Sequence, residues 1–261
     1  MYTEDTRKGN AMRLGAQFYS IRNHNTTPEG LEKSFYEMKK IGYQSVQLSS
    51  ICEMPAEQLK RISEESGLPI VTTHTDPTRI LLETNAVINE HKIFGCPEIG
   101  IGCMPAEYHG SLSGARQFIK DFTPALKKIR AAGLRLAYHN HAFEFDDLGG
   151  TNAFEILINE MPDLFFIIDT YWLRYAGQDV LKTIERLKDR IVCVHFKDMA
   201  GEPKGAICPC GDGCIDFLPI LNLCEKLGIP EALVEQDNAP ESDSYLCMKK
   251  SFDALKGIFG I

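Results

Sequence analysis

The amino-acid sequence predicts an α/β protein folded as a single (β/α)8 TIM barrel. Three observations support this prediction: apolar strand-like runs alternate with segments of helical periodicity, there are eight of each, and the late runs end in polar side chains. The parallel strands of such a barrel end at one face, where its active site lies. A chain of 261 residues, 44% hydrophobic and 25% charged, suits one barrel of this kind. An open doubly wound sheet is the alternative architecture.

The predicted strands are short apolar runs. They cover 13–20, 44–49, 69–75 and 98–104 in the first half of the chain, and lie within 134–145, 164–172, 191–199 and 232–237 in the second. Side chains alternate along a strand, so Leu136 and Tyr138 share one face while His139 and His141 share the other. Because bulky apolar groups face the helix layer, we expect the small and polar set to point into the barrel.

The predicted helices separate these strands and carry ordinary start and stop signals. They cover 28–41, 55–66, 79–94, 112–132, 151–161, 177–188, 215–227 and 242–258. Thr27 followed by Pro28 is typical of a helix start. Five glycines follow helical stretches, where a left-handed stop favours glycine: Gly42, Gly67, Gly95, Gly133 and Gly228. No linker rich in Pro, Gly and Ser interrupts the series, which predicts one domain over residues 1–261.

The composition of the chain limits the classes of binding partner that are expected. A net charge of −8 and a pI near 5.4 argue against nucleic acid and membrane surfaces, which attract basic proteins. The start, MYTEDTRKGNAM, lacks the apolar run of a signal peptide, so we expect a cytoplasmic protein. The expected partner is a small molecule, with a homo-oligomer as an open alternative. Nine cysteines include Cys208, Cys210 and Cys214, but without a C-x-x-C pair they predict a loop rather than structural zinc.

Potential metal ligands stand at the ends of the last four strands. Asp169, His195 and Glu235 end the sixth, seventh and eighth strands. Taken alone, such an aspartate is commonly a helix cap and such a histidine a hydrogen-bonded core residue. Together at one face of a barrel they predict one divalent metal ion, with Mn, Zn, Co and Mg as candidates. The fourth ligand comes from the 139–144 segment, where His139, His141 and Glu144 are all open.

Other strand-end groups suit a polyol. We expect Gln17, His74, Trp172 and Lys197 to contact substrate, with Trp172 supplying a ring that stacks on a sugar face. Gln47 is a weaker candidate, since a solvent-facing glutamine explains it equally well. The sequence has no G-x-S-x-G elbow, Walker loop or dinucleotide G-x-G-x-x-G motif. The letters HNH at 139–141 end a buried strand, which argues against a nuclease.

The motifs resemble a known family along nearly the whole chain. They are LGAQFYSIR (14–22), THTDPTRIL (73–81), EHKIFGCPEIGIG (90–102), YHNHAFEF (138–145), DTYWLRYAGQDV (169–180), VHFKDM (194–199), GDGCIDF (211–217) and VEQD (234–237). The chain is thereby similar to the sugar phosphate isomerase/epimerase family, the xylose-isomerase-like TIM barrels that include inosose dehydratases and endonuclease IV. This resemblance implies a divalent metal held by Asp169, His195 and Glu235. Many relatives have a glutamate as first ligand at the end of strand five, where this sequence has histidine.

The resemblance also separates the branches of that family. The endonuclease branch places a histidine three residues after Asp169, where this chain has Trp172, and another in the loop that here reads GDGCIDF. DNA repair is therefore not expected. The expected function is a metal-dependent isomerase or epimerase of a small sugar or cyclitol, acting through a metal-held enediolate.

Individual site residues have different expected roles in this reaction. Glu235, Glu144 or His139 would remove the proton next to the carbonyl, and Lys197 would steady the developing charge. Loss of a β-hydroxyl from the same enediolate would make the enzyme a dehydratase or lyase of an inosose or keto-sugar. An alternative of another class is a barrel that binds a polyol without turning it over.

Overall fold

Residues 11–261 are described by the structure, a computed structural model. Ten strands occur in this range: β1 (Arg13–Gln17), β2 (Val46–Leu48), β3 (Ile70–Thr73), β4 (Glu98–Ile101), β5 (Arg135–His139), β6 (Phe165–Asp169), β7 (Ile191–Phe196), β8 (Asp198–Met199), β9 (Ile207–Cys208) and β10 (Glu231–Val234). β8 and β9 form a small antiparallel hairpin. Most of the segment behind the prediction of a cytoplasmic protein, residues 1–10, lies outside the described residues.

The other eight strands form one parallel sheet that closes into a TIM barrel. Their order is β3-β2-β1-β10-β7-β6-β5-β4, with every ladder parallel. β3 and β4 meet where the Thr75 amide donates a hydrogen bond of 2.8 Å to the Gly100 carbonyl. The predicted barrel is therefore confirmed, and the open doubly wound sheet is wrong.

Ten α-helices surround the strands within the described range: α1 (Pro28–Ile41), α2 (Ala56–Ser66), α3 (Pro77–Leu82), α4 (Thr84–Phe94), α5 (Leu112–Ala131), α6 (Ala153–Glu160), α7 (Thr170–Tyr175), α8 (Val180–Leu187), α9 (Phe217–Leu227) and α10 (Ser244–Phe259). Gly67 and Gly228 end α2 and α9 in the left-handed conformation that favours glycine. None of the helices described in residues 11–261 has the length and apolar character needed to cross a membrane.

The predicted boundaries differ from the structure in two informative places. The helix predicted over 79–94 is divided at Glu83, and its first part begins earlier because Asp76 caps it and Pro77 opens it. The strand-like run 164–172 becomes helical directly after Asp169, whose side chain caps α7. Apolar residues resume soon after each junction, so the apolar pattern alone does not mark where one element ends and the next begins.

Two ion pairs at the opposite end of the barrel connect the first residues of neighbouring strands. Arg135 Nε of β5 donates a 2.9 Å hydrogen bond to Glu98 Oε2 of β4, and Arg13 Nε of β1 donates one of 2.7 Å to Glu231 Oε1 of β10. Both carboxylates are buried. Burial raises the pKa of Glu98 to about 7 even though Arg135 opposes the shift. The base of the barrel thus holds one carboxyl group, Glu98, that titrates near neutral pH; burial also raises the pKa of Glu231.

The raised pKa of Glu98 predicts how the free energy of unfolding depends on pH. The folded state keeps its proton up to about pH 7, whereas the ordinary value is 4.5. Glu98 therefore contributes stability that is present below pH 4.5 and lost as pH rises through 7. Relative to Glu98→Gln, the free energy of unfolding of the unmodified protein is expected to fall by about 2 kcal/mol between pH 5 and 8. Urea titration at each pH measures this, and Glu64→Gln, at an exposed site, is the control. Parallel pH profiles for the unmodified protein and Glu98→Gln would contradict it.

Candidate metal centre

Four buried side chains meet inside the barrel at the carboxyl ends of its strands: His139, Asp169, His195 and Glu235. One potential ligand atom from each lies within 4.8 Å of the others. His195 Nδ1 is 2.8 Å from Glu235 Oε2, and His139 Nε2 is 3.2 Å from Asp169 Oδ2. Two imidazoles and two carboxylates form the kind of mixed N/O set that holds a divalent metal ion.

Asp169 is both a helix cap and a member of this cluster. As the last residue of β6, it accepts a 2.9 Å hydrogen bond at Oδ1 from the amide of Trp172 in the first turn of α7. Its other oxygen, Oδ2, faces His139. Asn140, at the end of β5, accepts a 3.0 Å hydrogen bond from the Asp169 amide. The two readings of this aspartate that the sequence offered, cap and ligand, are therefore compatible because each uses a different oxygen.

Hydrogen bonds orient both imidazoles toward the centre of the cluster. His139 Nδ1 lies 3.0 Å from the Gly102 carbonyl, which can only accept, so Nδ1 carries the proton and Nε2 faces the carboxylates. His195 Nε2 lies 2.6 Å from Gln47 Oε1, which directs Nδ1 toward Glu235. Outer partners of this kind set the tautomer and ring orientation of metal-binding histidines. The donor atoms therefore fit a divalent ion.

Lys197 brings a positive charge to the edge of the cluster. Its buried ammonium Nζ is 3.0 Å from Glu235 Oε2, 3.3 Å from Asp169 Oδ2 and 3.0 Å from Asp237 Oδ1. Burial alone would lower the pKa of Lys197, but these three carboxylates raise it. Burial would likewise raise the pKa of Glu235, yet Lys197 and His195 hold it well below its usual range. Both Lys197 and Glu235 are therefore charged at neutral pH.

His141 and Glu144, the other predicted sources of a ligand, lie outside the group of four. His141 lines the adjoining cavity, with its ring 4.8 Å from that of His139, and burial lowers its pKa to about 3. Glu144 accepts hydrogen bonds from the Tyr138 hydroxyl at 2.6 Å and the His141 amide at 2.8 Å. Tyr138 packs against Phe118 of α5, so Glu144 is held on the helix side of β5, away from the cavity.

A cavity of about 340 Å³ opens above the cluster. Its walls include Tyr19, His74, His139, His141, Lys197, Glu235 and Asp237. The buried Nε2 of His74 and Nδ1 of His141 have no hydrogen-bond partner among the described residues, so they can serve a ligand. Burial raises the pKa of Asp237 to about 6, and the charge of Glu235 adds to the shift. The cavity is therefore polar and placed directly over the candidate ligands.

The remaining side chains predicted to contact substrate, Gln17, Trp172 and Gln47, do not line this cavity. Gln17 Nε2 donates a 2.8 Å hydrogen bond to Glu235 Oε1, so this side chain holds a candidate ligand rather than lining the cavity. The Trp172 ring lies 5.4 Å from Lys197 Nζ and 5.2 Å from the His141 ring, and it is not among the residues that line this cavity. Gln47, buried rather than solvent-facing, orients His195. The substrate roles of Gln17 and Trp172 stay predictions.

Residues 35–245 match the family model described as xylose isomerase-like TIM barrel. The chain belongs to this family. The resemblance read from the sequence motifs is thereby confirmed, and the buried cluster lies at the barrel end where the xylose isomerase-like motifs of the chain converge.

Several proteins resemble this xylose isomerase-like barrel. An inosose dehydratase of Lacticaseibacillus casei is 28% identical over 156 residues, which are 50% of this chain and 51% of that protein. The chain thus spans about half the length of the curated relatives that it matches. A sugar phosphate isomerase/epimerase from Parabacteroides distasonis ATCC 8503 superposes with a TM-score of 0.77, at 19% identity, over 95% of each chain. An L-ribulose 3-epimerase structure superposes with a TM-score of 0.72, at 14% identity, over 95% of each chain.

Gln47 yields a test of the orientation of His195. In Gln47→Leu the imidazole loses its 2.6 Å acceptor, so affinity for Mn²⁺ or Zn²⁺ is expected to fall about 10- to 100-fold while the fold persists. Competition with a fluorescent chelator measures the affinity. Gln47→Glu keeps an acceptor and is expected to retain most of it, and Gln117→Leu on the surface of α5 is the control. Equal affinity in Gln47→Leu and the unmodified protein would show that Gln47 does not orient a ligand.

Proposed function

We propose that this barrel is a metal-dependent enzyme that removes the proton next to the carbonyl of a small sugar or cyclitol, and that it interconverts isomers or epimers. The observation that carries the proposal is the buried group of His139, Asp169, His195 and Glu235 beneath a polar cavity. Side chains whose pKa values are strongly shifted by burial and by neighbouring charges commonly gather at functional sites. The family and two structural neighbours, a sugar phosphate isomerase/epimerase and an L-ribulose 3-epimerase, support the same class of chemistry.

The proposed metal site would be formed by the same four side chains. When bound there, a divalent ion supplies Lewis acidity that polarises a carbonyl and acidifies the adjacent C–H. Glu235 is the proposed base: Gln17 holds its Oε1 at 2.8 Å, and its carboxylate belongs to the cluster and also lines the cavity in which the substrate would lie. Lys197 would stabilise the negative charge that develops on the substrate oxygen. His139 is assigned to metal binding rather than proton transfer because its free nitrogen faces Asp169.

Other groups on the cavity wall suit substrate binding and proton return. His74 and His141 would hydrogen-bond hydroxyl groups through nitrogens that have no partner in the described protein. Burial lowers the pKa of both, so each is a neutral imidazole able to accept or donate. Asp237 has a pKa of about 6 and lines the same cavity, which makes it the proposed group for returning a proton to the substrate.

A second candidate reaction is dehydration of an inosose or related keto-sugar. The observation that favours it is the match to curated inosose dehydratases at 28% identity over about half of this chain. Proton removal by Glu235 is common to both reactions. They diverge afterwards, when the enediolate either regains a proton or expels a β-hydroxyl group.

Deuterium exchange tests the shared first step. The protein reconstituted with Mn²⁺ is incubated in D₂O with a panel of ketoses and inososes, and substrate and product are analysed by mass spectrometry. Deuterium on the carbon next to the carbonyl is expected. Deuterium in an epimer or isomer supports the first candidate, whereas loss of water supports the dehydratase. No deuterium in any compound that binds would indicate a polyol-binding barrel instead.

Lys197 gives a test of charge stabilisation. Lys197→Met removes the ammonium group beside Asp169 and Glu235, and kcat is expected to fall about 10²- to 10³-fold while metal content is unchanged. Lys182→Met, at an exposed position of α8, is the matched control. Unchanged kcat in Lys197→Met would exclude this role.

A further inference from the structure

A second and larger cavity, of about 1080 Å³, adjoins the cavity over the metal centre. It lies between the loop 49–55 and helices α3 and α4, and is called the outer chamber below. The two cavities share a wall formed by Ser49, Ser50, His74, Thr75 and Asp76. Ser50 and Asp76 are exposed, so a ligand seated over the metal centre can reach the outer chamber along the rim that these two residues form.

The shared wall contains an unusual backbone conformation. Ser50 has a φ of +50°, and it is the one residue other than glycine with a positive φ in the described part of the chain. Such a conformation is costly for a residue with a side chain, and it occurs preferentially at ligand sites. It occurs here at the junction of the two cavities.

The outer chamber has apolar as well as polar walls. The shared wall is formed by hydroxyl, imidazole and carboxyl groups; beyond it, the apolar side chains Ile51, Met54, Leu59 and Phe94 line the chamber together with Arg79, Glu83 and Glu90. The 340 Å³ of the inner cavity is near the lower end of the range for small-molecule sites, roughly 300–1,000 Å³. Together the cavities have room for more than one ring, with the polar ring over the metal centre.

Charge excludes an anionic group from both cavities. Arg79 lines the outer chamber, but its guanidinium is bound to Glu90 at 2.7 Å and to Glu83 at 3.1 Å. In the inner cavity, three carboxylates surround Lys197, so the net charge around its ammonium group is already negative. No other lysine or arginine lines either cavity among the described residues. A phosphate group would therefore meet carboxylates without a free cation.

The loop that often binds phosphate in this fold is filled by the chain itself. TIM barrels frequently hold phosphate at the loops after the seventh and eighth strands. Here the loop after β7 turns its amides onto the buried Asp198: Gly211 at 2.9 Å and Gly213 at 3.1 Å donate to Oδ2, and Ile215 at 3.1 Å donates to Oδ1. An internal carboxylate thus occupies the donors that a phosphate would need.

We propose that the outer chamber is a subsite for a second, uncharged ring joined to the reacting sugar or cyclitol, so that the substrate is an unphosphorylated two-ring compound. This inference rests on the proposed function of the metal centre. The second ring is a sugar or an aromatic aglycone; both are uncharged and present apolar faces to Ile51, Met54 and Phe94.

Four compounds that differ only at O6 test this subsite. They are D-fructose, D-fructose 6-phosphate, isomaltulose, which carries a glucosyl ring on O6, and 6-O-benzyl-D-fructose. Affinity for the Mn²⁺-reconstituted protein is measured by calorimetry. At least one two-ring compound is expected to bind about tenfold more tightly than fructose, and the 6-phosphate more weakly than fructose. Tighter isomaltulose identifies a sugar as the second ring, and tighter 6-O-benzyl-D-fructose identifies an aromatic group.

Substitution of Met54, which lines the outer chamber but not the inner cavity, tests the location. Met54→Trp is expected to weaken binding of the two-ring compound about tenfold and to leave fructose unchanged. Met54→Ala controls for loss of the methionine, and Leu82→Trp, on the exposed surface of α3, controls for an added indole. Glu53→Trp, at an exposed position of the same loop, replaces Met54→Trp if that variant does not fold.

The inference is overturned by equal affinity for fructose and both two-ring compounds, by tighter binding of the 6-phosphate, by no binding of any of the four, or by no effect of the indole. Deuterium exchange separates this result from the proposed reaction. Exchange into fructose without a two-ring preference removes only the subsite, whereas two-ring binding without exchange removes only the reaction.

Discussion

The structure of the site depends on two carboxylates, Asp169 and Glu235, buried side by side within the barrel. Buried charges are costly unless they are paired and hydrogen-bonded, so these two require positive charge at close range. Lys197 supplies part of it from a position where it contacts both. The imidazoles of His139 and His195 complete a set suited to a divalent ion. The same charges that need a cation would also provide the electrostatic setting for the proposed proton removal.

Hydrogen bonds between neighbouring strand ends keep these charges in place. Asn140, directly after β5, accepts a hydrogen bond from the backbone of Asp169, and the Thr170 hydroxyl donates to the carbonyls of His195 and Lys197 at 3.0 and 2.8 Å. Gln17, at the end of β1, donates a hydrogen bond to Glu235. The side chains of such a site are expected to keep their positions when no ligand is bound, because most of their hydrogen-bond partners belong to the barrel.

Sequence reasoning reached the barrel, the inward face of each late strand and three of the four clustered side chains, because period-two alternation and strand ends are local signals. It left His139, His141 and Glu144 unresolved, since alternation stops giving direction once β5 ends at His139. The contact of Glu144 with Tyr138 depends on the course of the loop. The role of Gln47 does not follow from the sequence, because its partner, His195, lies across the barrel, 148 positions away in sequence.

The central claim is that His139, Asp169, His195 and Glu235 hold a divalent metal ion. Elemental analysis of the purified protein, of Asp169→Ala and of His195→Ala tests it most directly, with Asp253→Ala on α10 as an exposed control. The account predicts about one divalent ion per chain in the unmodified protein and the control, and loss of the ion in both site variants. Full metal content in either site variant, or none in the unmodified protein after reconstitution, would contradict it.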